Sequence, residues 1–107
     1  MELNGKVIVI TGASKGLGAE LSKLFAKEGA KLVIGSRNEA GLKQIAEATG
    51  AVALKVDVAN EKEVEALGDL AVKKFGAIDI WINNAGVRIP HMAIEENDMT
   101  QIGRAHV

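Results

Sequence analysis

Four short aliphatic runs alternate with longer amphipathic stretches along the chain. The first, residues 6–11, holds Val7-Ile8-Val9-Ile10 with no polar alternation, the pattern of a strand buried on both faces in a parallel sheet. Residues 16–28 follow with Leu17, Leu21, Leu24 and Phe25 on one helical face, and Gly29 stops that helix. Residues 31–36, rich in Val and Ile, predict a second strand. Residues 38–49 predict a second helix, with Leu42, Ile45, Ala46 and Thr49 aligned and Gly50 at its end. Residues 51–56 form the third strand signal. Asn60 then reads as an N-cap, with Glu63 placed as in a capping box. The helix it opens runs to Phe75 with Val64, Leu67, Ala71 and Phe75 inward, and Gly76 closes it. Residues 78–82 are the fourth strand and carry Trp81, expected in the core.

This is a β-α-β-α-β-α-β order with short links. Right-handed crossovers then give an α/β fold: a Rossmann-type, doubly wound parallel sheet, incomplete at about four strands, in the order 3-2-1-4 with flanking helices. After Gly86 the pattern weakens. Residues 87–107 are weakly defined, and 95–106 offer a helix with poor apolar spacing.

The chemistry sits where strands end. Thr11-Gly12-Ala13-Ser14-Lys15-Gly16-Leu17-Gly18 joins the first strand to the first helix. Gly12 permits a tight exit from the strand, Gly16 permits close backbone approach to a phosphate, and Gly18 permits the helix to lie close on the sheet. The N–H groups and dipole at the helix start favour an anion there. A second motif, Asn83-Asn84-Ala85-Gly86, ends the fourth strand. Ligands bind beyond the carboxyl ends of the strands where strand order reverses, here between strands one and four, so both loops are expected to face one crevice. The whole chain, 1–107, is accordingly expected to be a single dinucleotide-binding domain, the N-terminal part of a longer fold.

Composition narrows the partners. Among 107 residues there is no cysteine, hence no disulfide framework, thiolate metal site or cysteine nucleophile, in keeping with a cytoplasmic location. A net charge of −1 gives no reason to expect nucleic acid or a membrane surface. No aliphatic run exceeds a strand's length. His91 and His106 are too far apart and too isolated to predict a metal site.

The glycine loop, Asp57-Val58 after strand three and Asn83-Asn84-Ala85-Gly86 together resemble the short-chain dehydrogenase/reductase family over residues 3–86. The resemblance implies that Asp57 and Val58 contact an adenine ring. It also implies that Asn84, Ala85 and Gly86 line the ribose side and the approach to a nicotinamide. Where an NAD site carries a carboxylate at the end of strand two, this chain has Ser36 followed by Arg37. Arg37, with Lys15 in the glycine loop, suits a 2′-phosphate, so NADP(H) is expected over NAD(H). The resemblance further implies hydride transfer to or from a small-molecule carbonyl or alcohol, and a homo-oligomer, in the complete protein. The family's proton donor is a Tyr-x-x-x-Lys pair, and this chain contains no tyrosine. No catalytic residue is therefore assigned. The alternative expectation is a non-catalytic NADP(H)-binding or regulatory module.

Overall fold

A computed structural model of the chain describes residues 2–84 and 105–106. The elements are β1 (Val7–Thr11), α1 (Gly16–Lys27), β2 (Lys31–Ser36), α2 (Glu39–Thr49), β3 (Val52–Lys55), α3 (Glu61–Phe75), β4 (Ile80–Asn83) and β5 (Ala105–His106). They build one sheet in the order β3-β2-β1-β4-β5. Every neighbouring pair is parallel.

The order of β3, β2, β1 and β4 is the expected one. The fifth strand is not. Ala105 and His106 lie in register with Ile80 and Trp81, so a helix through residue 106 is ruled out at that end. The reason is local: the outer edge of β4 presents N–H and C=O groups that need partners, and a parallel strand satisfies them. The rest of the expected helix, from residue 95, lies outside the described residues.

Strand periodicity sorts the core into two layers. Ile8, Ile10, Leu32, Ile34 and Ile82 face α1 and α2, where Leu42 and Ile45 meet them. Val7, Val9, Val33 and Trp81 face α3, where Leu67 and Ala71 meet them. Ile8, Val9 and Ile10 are fully buried, as their unbroken apolar run requires of a central strand. Full burial of such a side chain contributes about 1.5–3 kcal/mol. The edge strand β3 instead alternates, with Val52 and Leu54 half-buried and Ala53 and Lys55 exposed.

The sheet-facing side of α1 differs from the one its leucines suggested. Its buried residues are Gly18, Ala19 and Ser22. Leu21 and Phe25 reach the edge of the core, while Leu17 and Leu24 are exposed. Small residues let this helix approach the sheet more closely than a leucine face would. The hydroxyl of Ser22 is satisfied within the helix, donating to the Gly18 carbonyl at 2.8 Å.

Asn60 caps α3 and Gly50 and Gly76 end their helices as expected, whereas Asn38, expected as the first residue of α2, is its N-cap. The Asn38 side chain accepts from the Gly41 N–H, and Gly50 closes α2 in the left-handed conformation. Asn60 accepts from the N–H groups of Lys62 and Glu63, and Gly76 closes α3 in the same way. At the opposite, amino end of the sheet, Asp79 locks β4 to β1. Its carboxylate accepts the Val7 N–H at 2.9 Å, and its own N–H donates to the Val7 carbonyl at 2.9 Å.

Candidate functional site

The loops after β1, β2, β3 and β4 converge beyond the carboxyl ends of the strands around an open cleft of about 600 Å³. This is the switch point, where β1 is flanked by β2 on one side and β4 on the other. The first loop contributes Gly12, Ser14, Lys15 and Gly16. The second contributes Ser36 and Arg37, the third Asp57 and Val58, and the fourth Asn84. These nine were named from the sequence. Leu17 and Gly18 do not line the cleft: Leu17 is exposed and Gly18 is buried beneath it. Ala85 and Gly86 lie outside the described residues. Asn38, Val56 and Ala59 line the cleft without having been named. Asn38 and Val56 read as a helix start and a strand end, and nothing in their residue type separates those roles from cleft lining.

Local physics explains the glycine loop. Gly12 and Gly16 have φ of 66° and 59°, the left-handed region that other residues resist. A Cβ on Gly16 would meet nothing within 4 Å, so that side of the loop is open. Gly18 is required for a different reason. A Cβ there would fall 2.1 Å from the Gly12 carbonyl oxygen and 2.8 Å from the Asn84 side-chain nitrogen.

Among the described helices, α1 is the one whose first turn is left open. Its N-cap residue, Lys15, makes no side-chain capping bond, and the turn has no acidic residue. The N–H groups of that turn have no partners inside the helix, and the dipole adds partial positive charge. Lys15 and Arg37 stand exposed beside it and form no ion pair with a described residue. The cleft thus joins N–H groups that the helix leaves open to two cations that pair with no described residue.

Hydrogen bonds hold its walls. The Ser36 hydroxyl accepts the Asn38 N–H at 3.1 Å and donates to the Ser14 oxygen at 2.7 Å. Ser36 is itself buried. Its hydrogen is therefore committed to Ser14, and the Ser14 hydroxyl is the one left to donate into the cleft. The backbone follows the same line, with the Ala13 N–H donating to the Gly35 carbonyl at 3.2 Å. Across the switch point, Asn84 donates to the Gly12 carbonyl at 3.1 Å, and Thr11 donates to the Asn83 side-chain oxygen at 3.1 Å.

The third loop is pinned as well. One carboxylate oxygen of Asp57, Oδ1, accepts the Ala59 N–H at 2.9 Å, and the Asp57 carbonyl accepts the Asn60 N–H at 2.9 Å. The second carboxylate oxygen of Asp57 and the N–H of Val58 bond to no described residue. The described residues contain no cluster of three or more His, Asp or Glu able to hold a metal ion. None of their helices is long and apolar enough to cross a membrane.

A cleft of this make-up, at this position of this topology, agrees with what comparison finds. The family model described as short chain dehydrogenase matches residues 6–105. The chain belongs to the short-chain dehydrogenase family. It is 44% identical over 94 residues to 3beta-hydroxysteroid dehydrogenase 1 of Eggerthella lenta, covering 82% of this chain and 36% of that protein. A 3-ketoacyl-(acyl-carrier-protein) reductase from Brucella melitensis, solved in complex with NADH, superposes with a TM-score of 0.71 at 43% identity. That match covers 74% of this chain and 33% of the reductase. A short-chain dehydrogenase/reductase from Burkholderia phymatum, solved with NAD, gives a TM-score of 0.71 at 36% identity over 76% of this chain and 31% of its own. The chain therefore spans about a third of the length of these relatives.

Proposed function

We propose that this chain is the cofactor-binding part of an NADP-dependent oxidoreductase of the short-chain dehydrogenase type. The observation that carries the reading is the open first turn of α1, uncapped and free of acidic side chains, set beside Lys15 and Arg37 in one cleft. Anionic groups are what such a site stabilises.

The residues present fit a dinucleotide along the whole cleft. The glycine loop and the first N–H groups of α1 would hold the pyrophosphate, since Gly16 opposes no side chain to its approach. Arg37 and Lys15, with the Ser14 hydroxyl that Ser36 orients, would hold a 2′-phosphate. Asp57 presents an acceptor and Val58 a donor side by side, the complement of the amino group and ring nitrogen on one edge of adenine. Asn84 fixes the far wall against Gly12, and the family resemblance assigns Ala85 and Gly86 to the approach to the nicotinamide. A bound nicotinamide dinucleotide supplies or accepts the hydride.

Relatives that carry the names of a steroid dehydrogenase and a ketoacyl reductase point to a carbonyl or alcohol as substrate. Both structures described above hold NAD(H), so the preference for NADP(H) rests on this chain's own Arg37, Lys15 and Ser36. The chain has no tyrosine to serve as proton donor. Hydride transfer is accordingly proposed for a complete protein with the family's remaining elements, acting as a homo-oligomer in the cytoplasm. The second reading is an NADP(H)-binding or regulatory module without chemistry of its own. Equilibrium titration of this chain with NADPH tests the shared claim: saturable binding is expected, and no binding overturns both readings. Assay of the intact natural protein for NADPH oxidation with carbonyl substrates then separates an enzyme from a module.

A further inference from the structure

Glu63 stands outside the cleft lining yet controls the loop that forms one of its walls. Its Oε1 accepts the Asp57 N–H at 2.8 Å, and its Oε2 accepts the Asn60 side-chain amide at 3.2 Å. Asn60 in turn caps α3 through the Lys62 N–H at 3.0 Å and the Glu63 N–H at 3.3 Å. A capping box returns the glutamate to the N-cap backbone N–H. Here that N–H is already given to the Asp57 carbonyl, and the glutamate reaches further, to Asp57. The loop is thus closed at both ends, and Asp57 has one direction in which to present its remaining carboxylate oxygen.

We propose that Glu63 is a positioning residue for recognition of the adenine base. It does not touch the ligand; it fixes the Asp57 backbone, so that the free carboxylate oxygen meets an amino group and rejects a carbonyl in its place. The inference rests on the reading of the Asp57–Val58 wall as the adenine site.

The experiment is calorimetric titration of this chain with NADPH and with its hypoxanthine analogue, which replaces the 6-amino group by a carbonyl oxygen and turns the adjacent ring nitrogen from acceptor to donor, so that it mismatches both Asp57 and the Val58 N–H. Wild type is expected to favour NADPH by roughly tenfold or more, as loss of a hydrogen bond to a charged group implies. Glu63→Ala should weaken NADPH binding several-fold while leaving the analogue nearly unchanged, compressing the preference toward one. Glu63→Gln keeps an oxygen for the Asp57 N–H but turns a donor toward the Asn60 amide, so it should lower the ratio only part-way, and a ratio as low as that of Glu63→Ala overturns the inference. Equal weakening of both ligands by Glu63→Ala would show a structural role alone and overturn the inference. A wild-type preference near one would overturn the adenine reading itself, and the inference with it. If Glu63→Ala does not fold, Asn60→Ser keeps a capping oxygen while removing the Oε2 partner. It should lower the ratio part-way, and an unchanged ratio overturns the inference.

Discussion

The side-chain amide of Asn84 donates to the carbonyl oxygen of Gly12 across 3.1 Å, and the missing Cβ of Gly18 is what leaves room for both groups. Residues far apart in sequence thereby form one wall: the loop after β4 is tied to the loop after β1 directly over the start of α1. Asn84→Ala would remove the donor and leave a half-buried carbonyl with less to bond. The expected cost is about 1 kcal/mol, read as a lower urea midpoint with an unchanged slope.

Gly18→Ala should be worse than Gly16→Ala. At Gly18 a methyl group falls 2.1 Å from the Gly12 oxygen, whereas at Gly16 it meets nothing within 4 Å. The first forces backbone to move, at about 1–3 kcal/mol or more. The second carries only the strain of a left-handed alanine, about 1–2 kcal/mol. Denaturation of the two variants side by side checks the ranking; a more stable Gly18→Ala would contradict the close approach described for α1.

Ser36→Ala breaks the hydroxyl chain that runs from the Asn38 N–H through Ser36 to Ser14. The Asn38 N–H loses its acceptor, but Asn38 is itself exposed, so stability should fall by about 0.5–1.5 kcal/mol. NADPH binding should also weaken, because Ser14 is no longer held in place. Unaltered NADPH affinity would show that Ser14 needs no such support.

Arg37→Asp should lower affinity for NADPH much more than for NADH, by roughly tenfold or more in the ratio. It removes a guanidinium and adds a carboxylate that repels a 2′-phosphate. An equal effect on the two cofactors would remove the 2′-phosphate assignment, and paired titrations read the difference directly.

Much of this was legible in the sequence because the relevant signals are local. The unbroken Val7-Ile8-Val9-Ile10 run announced a central strand, and Asn60 with Glu63 announced a helix start. Chain order and crossover handedness then brought the strand ends together. What stayed hidden depends on three-dimensional neighbours. The leucines of α1 spelled a convincing apolar face, yet the helix turns Gly18, Ala19 and Ser22 to the sheet. Close packing favours small residues there, and helical spacing alone does not reveal it. The serine pair was equally opaque: nothing in the sequence says that the Ser36 hydroxyl donates to Ser14. The β5 pairing escaped for a related reason, since two residues carry no periodicity.

The central claim is that the cleft between the β1 and β4 loops is a dinucleotide site with a preference for the 2′-phosphate. Calorimetric titration of this chain with NADPH and NADH at matched ionic strength tests it most directly. Saturable binding of one NADPH per chain, tighter than NADH, is the expected result. Absence of saturable binding would contradict the site, and equal or tighter binding of NADH would contradict the part assigned to Arg37 and Lys15.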